Sequence, residues 1–337
     1  MDTMIETHGL TKEFHTGKKT VTAVKDLDLH IAQGEMVALL GPNGAGKSTT
    51  LRMLTTLLAP TAGSARVAGH DVVTDQRAVR RAIGYIGQGN SAAHTQRAVD
   101  ELVVSGQSYG LPRAEARARA AELMESLGLT DQATQKVMTL SGGQRRRLDI
   151  AMGLIHAPGL LFLDEPSTGL DPQNRANLQE HILDLRRQHG ATVVLTTHYL
   201  DEADALAERI VVVDNGRVVA DDTPAALKAN HAGDRIALTF DDPTDAARAA
   251  ERAAAAHPTA QVAHTSRAVD IQVAGGSGIV ASLLGDYAQA GVTPATVEVA
   301  RPTLDDVFLS LTGRSLREGK AHTSPQSDSD TLEEVAA

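Results

Sequence analysis

Cysteine and tryptophan are absent from the 337 residues, and the aromatic total is four Phe and four Tyr. Without cysteine there are no disulfides and no thiolate metal sites, which suits a reducing compartment. So few rings leave little material for stacking on a planar ligand. No stretch approaches the ~18 consecutive apolar residues of a bilayer-spanning helix. This chain is therefore not expected to carry anything across a membrane by itself. The opening Met1-Asp2-Thr3-Met4-Ile5-Glu6 holds acids and no apolar core segment, unlike a secretory signal. A formal net charge of −10 argues against broad nucleic-acid binding. The length allows one large domain and one small one.

What is present is a phosphate loop. Gly41-Pro42-Asn43-Gly44-Ala45-Gly46-Lys47-Ser48-Thr49 fits G-x-x-x-x-G-K-[ST]. A short apolar strand, 36–40, precedes it and a helical pattern follows from Ser48. The glycines let backbone N–H groups approach an anion, and the following helix turns its positive end toward it. Lys47 reaches β- and γ-phosphates and the Ser48 hydroxyl can ligate Mg²⁺. A glycine-rich turn before an ordinary helix is the plainer alternative, and the strand–loop–helix setting speaks against it.

The remaining chemistry is expected at strand ends. Leu160-Leu161-Phe162-Leu163-Asp164 is an apolar run ending in a carboxylate, as in a central parallel strand that delivers an acid to the carboxyl edge. Asp164 is placed to hold Mg²⁺ directly or through water, and Glu165 to polarise an attacking water. His198 follows a second apolar strand, 192–197, where it can donate to a γ-phosphate. Gln88 follows 83–87 at another strand end, with an amide able to touch Mg²⁺ or water. Phe14 reads either as a ring stacking on adenine or as a minor core aromatic. Between the loop and the Asp-Glu strand lies Leu140-Ser141-Gly142-Gly143-Gln144.

With these residues the chain resembles the ATP-binding cassette (ABC) family over roughly residues 4–230. Walker A corresponds to 41–48, the Q-loop to Gln88, the signature to 140–144, Walker B to 160–164 with Glu165 as catalytic glutamate. The D-loop is Gly169-Leu170-Asp171 and the switch histidine His198. The resemblance implies that Ser141, Gly142 and Gly143, together with Gln144, open a helix that binds the γ-phosphate held by the opposite subunit of a homodimer. Arg145, Arg146 and Arg147 then fall in its first turns, where a solvated basic face is as good a reading as a ligand role. More narrowly, the chain looks like the stand-alone ATPases of daunorubicin-resistance exporters. That likeness rests on Thr196-Thr197-His198-Tyr199-Leu200-Asp201-Glu202-Ala203, Gly169-Leu170-Asp171-Pro172 and Arg301-Pro302-Thr303-Leu304-Asp305-Asp306-Val307-Phe308. It implies ATP and Mg²⁺ as cofactors, an integral-membrane permease as partner, no nucleic acid, and a peripheral position on the cytoplasmic face of the membrane. Gln88-Gly89-Asn90-Ser91-Ala92-Ala93-His94 departs from the wider family in being small and polar.

The fold class expected is α/β, a P-loop ABC cassette at 4–232. Its parts are a RecA-like parallel-sheet core, an antiparallel β subdomain built from 4–35, and a helical subdomain at about 90–145. Within it, 113–129 reads as helix with Gly128 near its stop, and Asn215-Gly216 as a hairpin turn. Residues 233–315 read as a small α+β domain. Its order is strand 235–240, helix 243–256, strands 261–263 and 269–273, helix 278–290, strand 296–300 and helix 304–312. That βαββαβ order is ferredoxin-like and suggests a stabilising or dimer-facing appendage. The tail, 316–337, rich in Ser, Asp and Glu from 320 onward, is expected to be disordered.

Overall fold

The structure, a computed structural model, describes residues 3–17, 19–89, 92, 95–273 and 275–313. The expected disordered tail lies outside them, as do Asn90, Ser91, Ala93 and His94 of the unusual segment.

Residues expected to be apolar strands form a six-stranded central sheet. In it β3 (Met36–Leu40), β6 (Ile83–Ile86), β7 (Leu160–Asp164), β8 (Thr192–Thr197) and β9 (Arg209–Asp214) run parallel. Antiparallel β10 (Arg217–Asp222) completes the order β10-β9-β3-β8-β7-β6. Every residue of β3, β7 and β8 is buried, because a parallel sheet is covered on both faces. The two-residue repeat divides the side chains between those faces. Ala38, Leu40, Leu161, Leu163, Val193 and Leu195 join one core, and Val37, Leu39, Leu160, Phe162 and Val194 the other.

The second core is closed by α1 (Lys47–Leu54) and by an antiparallel sheet of order β2-β1-β4-β5. Its strands are β1 (Thr3–Thr16), β2 (Lys19–Ala32), β4 (Ala62–Val67) and β5 (His70–Asp71). Helix α2 (Gln76–Ala82) leads into β6. On the first face lie α3 (Ala98–Ser108), α4 (Arg113–Ser126), α5 (Gly142–Leu154), α6 (Pro172–His189), α7 (Leu200–Leu206) and α8 (Pro224–His231). The stretch from α3 to the start of α5, where a helical subdomain is expected at about 90–145, is mostly helical. Helix α4 stops before Gly128, whose φ of 60° no other residue type adopts as cheaply. The β9–β10 hairpin turns through Asn215 and Gly216 at φ 49° and 77°, the left-handed pair that an Asn-Gly sequence favours. Among the described residues no helix is long and apolar enough to cross a membrane.

The chain then builds β11 (Asp234–Thr239), α9 (Pro243–Ala256), β12 (Gln261–His264), β13 (Ala268–Val273), α10 (Gly276–Gln289), β14 (Thr296–Ala300) and α11 (Leu304–Thr312). All strand pairs are antiparallel, in the order β12-β13-β11-β14, the arrangement of a split βαβ unit. Ala246, Ala249, Ala250 and Ala253 give α9 one buried stripe over Ile236, Leu238, Val269 and Ile271. Helix α10 starts earlier than its pattern suggests because Asp234 on β11 accepts the Ser277 N–H at 2.7 Å, a cap supplied from outside the helix. Helix α11 packs against α8 and α7, and its Leu304, Val307 and Phe308 belong to the first core of the central sheet.

Candidate functional site

The parallel strands deliver the expected residues to one edge. Gly41 follows β3, Asp164 ends β7 with Glu165 next, His198 follows β8, and Gln88 stands just past β6. After β3 the chain must turn tightly beneath its neighbours. A Cβ on Gly41 would sit 2.2 Å from Val213 O, and one on Gly46 2.4 Å from Ala23 O. Gly44 and Gly46 have φ of 81° and 106°. Glycine is thus required by the loop itself. No side chain caps the start of α1, so its first N–H groups stay available to an anion. Beneath the loop, Lys47 donates from Nζ to Gly41 O at 2.7 Å and Pro42 O at 3.0 Å. Burial pulls its ammonium below the ordinary value, opposed by the negative charges of Glu165 and Asp164.

A cleft of about 400 Å³ opens above, lined by Ala23, Asn43, Gly44, Gly46, Lys47, Ser48, Thr49, Gln88 and Glu165. Ser48 Oγ donates to Asp164 Oδ1 at 2.8 Å, and Gln88 Nε2 to Ser48 Oγ at 3.2 Å. Asp164 is fully buried, and Thr196 Oγ1 donates to its Oδ1 at 2.7 Å, while Oδ2 has no hydrogen-bond partner. A hydroxyl, an amide and a buried carboxylate with a spare oxygen form a hard-oxygen set suited to Mg²⁺ shared with phosphates. Among the described residues no cluster of three or more His, Cys, Asp or Glu would hold a metal alone.

Glu165 adopts φ 48°, which a residue with a Cβ rarely holds unless its surroundings enforce it. Its N–H donates to Thr196 O at 3.1 Å and Oγ1 at 3.0 Å, and its Oε2 accepts from Thr168 at 3.2 Å. His198 Nδ1 lies 3.4 Å from the same Oε2. Contact with His198, reinforced by Lys47, keeps this carboxyl below the usual glutamate range despite its partial burial. It is therefore ionised throughout the neutral range and able to accept a proton or orient water.

The other expected residues lie apart from the cleft. Ser141 caps α5 through a capping box, its Oγ accepting the Gln144 N–H at 3.2 Å while Gln144 Oε1 accepts the Ser141 N–H at 2.9 Å. A Cβ on Gly143 would lie 2.5 Å from Asn174 Oδ1, so a larger residue there would have to displace the Asn174 side chain. Gly142 faces open space. Asp171 caps α6, accepting from Asn174 N at 2.9 Å and Nδ2 at 2.6 Å. Phe14 is 41% exposed on β1, its ring 5.4 Å from Lys12 Nζ; it is no core residue, and it does not line the cleft.

The reading of the three arginines as a solvated face is corrected for Arg146. Only 8% exposed, it donates to Pro166 O and Gly87 O at 2.7 Å each, and to Asp164 O and Glu165 O at 3.3 and 3.4 Å. Arg147 donates instead to Leu127 O at 2.9 Å, and Arg145 to Val137 O and Met138 O at 3.3 and 3.4 Å. A run of three cations carries no sign of which one turns inward. Thr196 is a second residue that sequence reasoning passed over, hidden as the penultimate position of a strand.

A phosphate loop, a strand-end Asp-Glu pair and a separate Ser-Gly-Gly helix start on such a sheet define a nucleotide-hydrolysing cassette. Comparison with known proteins agrees. Residues 24–168 match the ABC transporter family model. The chain is 41% identical over 314 residues to the daunorubicin/doxorubicin resistance ATP-binding protein DrrA of Streptomyces peucetius, covering 92% of each protein. It is 41% identical over 228 residues to the Nod factor export ATP-binding protein I of Paraburkholderia xenovorans, covering 67% of this chain and 74% of that one. Among solved structures, the dimeric post-hydrolysis ATP-binding cassette MJ0796 bound to ADP and Pi superposes with a TM-score of 0.60 at 28% identity, covering 65% of this chain and 98% of that one. The chain belongs to the ABC transporter ATP-binding family and is an ATPase of that class.

Proposed function

We propose that this chain powers efflux of drugs or related amphipathic compounds through a separate membrane permease, working as a homodimer at the cytoplasmic face of the membrane. The observation that carries the hydrolytic part is the meeting of Lys47, Ser48, Gln88, Asp164 and Glu165 at one edge of the sheet, with His198 3.4 Å from Glu165. The drug cargo is supported by the likeness to DrrA, which spans nearly the whole chain. A lipid or polysaccharide cargo is the alternative, and the chain is also similar to a Nod factor export ATP-binding protein over 67% of its length.

In this reading Gly41 to Thr49 cradle the triphosphate with backbone N–H groups, and Phe14 lies against the adenine. Lys47 moves from the loop carbonyls to the β- and γ-oxygens. Ser48, Gln88 and Asp164 would hold Mg²⁺, whose bound charge would offset that developing on the phosphates. Glu165 orients the attacking water and His198 senses the γ-phosphate. Ser141, Gly142, Gly143 and Gln144 close on the twin subunit's nucleotide, with Asp171 at the joint. That they do not line their own chain's cleft, and that a Cβ at 142 would meet open space among the described residues, both support action across the dimer. Residues 4–232 form the engine and 233–315 an accessory unit.

Glu165→Gln tests the reading. It should keep ATP binding, lose at least about 100-fold in turnover, as expected for removing a group that acts mainly in the transition state, and accumulate ATP-bound dimers. A mutant that stays monomeric in saturating ATP would count against the shared pocket. Lys47→Ala should instead abolish ATP binding or turnover.

A further inference from the structure

We propose that Arg146 is a positioning residue that ties the signature helix to the backbone of Glu165 and to the Q-loop. A shift of the helix start by the twin's nucleotide then reaches the catalytic carboxylate. The inference rests on the reading of Glu165 and Gln88 just given.

Gly87 follows β6, and Glu165 and Pro166 follow β7, so their carbonyls stand where strand pairing has ended and need other donors. One guanidinium supplies them, from α5, the helix that Ser141 caps. Glu165 is consequently held on both sides: its N–H by Thr196 and its carbonyl by Arg146. A left-handed glutamate persists only when its surroundings over-determine it. Releasing its carbonyl frees the peptide to relax, and the carboxylate turns with it. The acids facing Arg146 are Asp149 on its own helix, Asp164 on β7 and Glu202 on α7. Glu202 is fully buried, so burial pushes its carboxyl up. With Asp149 and Asp164 beside it, a cation at 146 belongs to the fold, whereas the four-carbonyl reach belongs to a planar guanidinium. Lysine keeps the charge but presents a compact point donor without that fork.

Arg146→Lys separates the two properties. The full chain is compared with wild type, with Glu165→Gln and with Arg147→Lys, which alters the adjacent arginine bonded to the helical arm. Readouts are kcat, MgATP affinity by a fluorescent ATP analogue, and thermal midpoint. For Arg146→Lys, kcat should fall about tenfold or more, in line with the ~100-fold cost of a 1 Å misplacement of a catalytic group. ATP affinity should stay within about twofold, because the phosphate loop is untouched. Arg147→Lys should turn over like wild type. Wild-type kcat in Arg146→Lys would overturn the proposal. So would a kcat loss matched by equal loss of ATP affinity or of folded protein. If Arg146→Lys and Arg146→Gln both fail to fold, Arg146 is a core cation and the proposal falls. Continued hydrolysis by Glu165→Gln would instead sink the underlying assignment of the site.

Discussion

Among the described residues, buried polar and charged side chains run from Thr7 to Glu202 and include Lys47, Arg146, Asp149, Asp164 and Ser167. The unit from β11 to β14 buries aliphatic side chains, alanines, Phe240 and Tyr287, whose hydroxyl donates to Ala249 O at 3.0 Å. The same division holds for backbone strain. Among the described residues, the non-glycine residues with positive φ are Asp26, Thr56, Ala68, Ala157, Glu165 and Asn215, all before β10. Asp164 Oδ2, buried without a hydrogen-bond partner among the described residues, also lies in the cassette. Such groups cost stability, and a protein keeps them where chemistry needs them. In the later unit local pattern, caps and core agree with one another.

The comparison is tested hardest at Gly46. An alanine there would hold φ 106° and meet Ala23 O at 2.4 Å. Strain of about 1–3 kcal/mol adds to that overlap, and the loop must deform to relieve it. ATP binding to Gly46→Ala should fall at least about 100-fold, the equivalent of roughly 2.7 kcal/mol. Near-normal affinity would mean that this loop does not need its glycine for the anion.

Gly142→Ala sharpens the contrast within the cassette. Its new methyl meets nothing in its own chain, so fold and monomer ATP affinity should be unchanged. In the Glu165→Gln background, ATP-driven dimers measured by light scattering should weaken about tenfold, one decade per 1.4 kcal/mol of lost contact. Undiminished dimers would show that the helix start does not touch the twin's nucleotide.

How much was legible follows the same line. Strand ends could be placed from sequence because apolar runs such as Leu160–Asp164 have one stable environment, a doubly covered parallel strand. The residue after each run then stands at the ligand edge. The helices and strands of 234–312 were legible for a related reason: proline, aspartate and glycine punctuate them, as at Asp242-Pro243 and Gly313. Arg146 was not legible, because its burial depends on β6 and β7 ending beside α5, a tertiary event invisible in a run of three arginines. At Gly143 the sequence carries no sign of Asn174, whose side chain stands 2.5 Å from where a Cβ would be, because that contact depends on α6 packing against α5.

In the later unit the expected effects move from turnover to stability. Tyr287→Ala removes a fully buried ring in contact distance of Phe240, and should cost about 3–5 kcal/mol of unfolding free energy where the 234–312 unit unfolds separately. ATPase activity per folded molecule should hold. A loss of kcat without loss of folded protein would give this unit a part in the chemistry that its satisfied core does not suggest.

Tyr287→Phe asks for the smallest change and the most specific one. Burial raises the tyrosine hydroxyl to a pKa of about 12, so it remains a neutral donor across any pH at which the protein is handled. Phenylalanine keeps the ring and its edge contact with Phe240 while leaving Ala249 O without that donor. Because the α9 carbonyl sits inside the helix and retains its place in the helical ladder, the loss should stay near 1 kcal/mol. It should also be independent of pH between 6 and 9, as no titration of the hydroxyl falls in about that range. Chemical unfolding followed at two pH values measures both statements. Asp286 and Arg252 already act on this hydroxyl, so a pH-dependent difference between Tyr and Phe would mean that a further group ionising between about 6 and 9 does so too, and would weaken the contrast between a polar, strained cassette and the later unit.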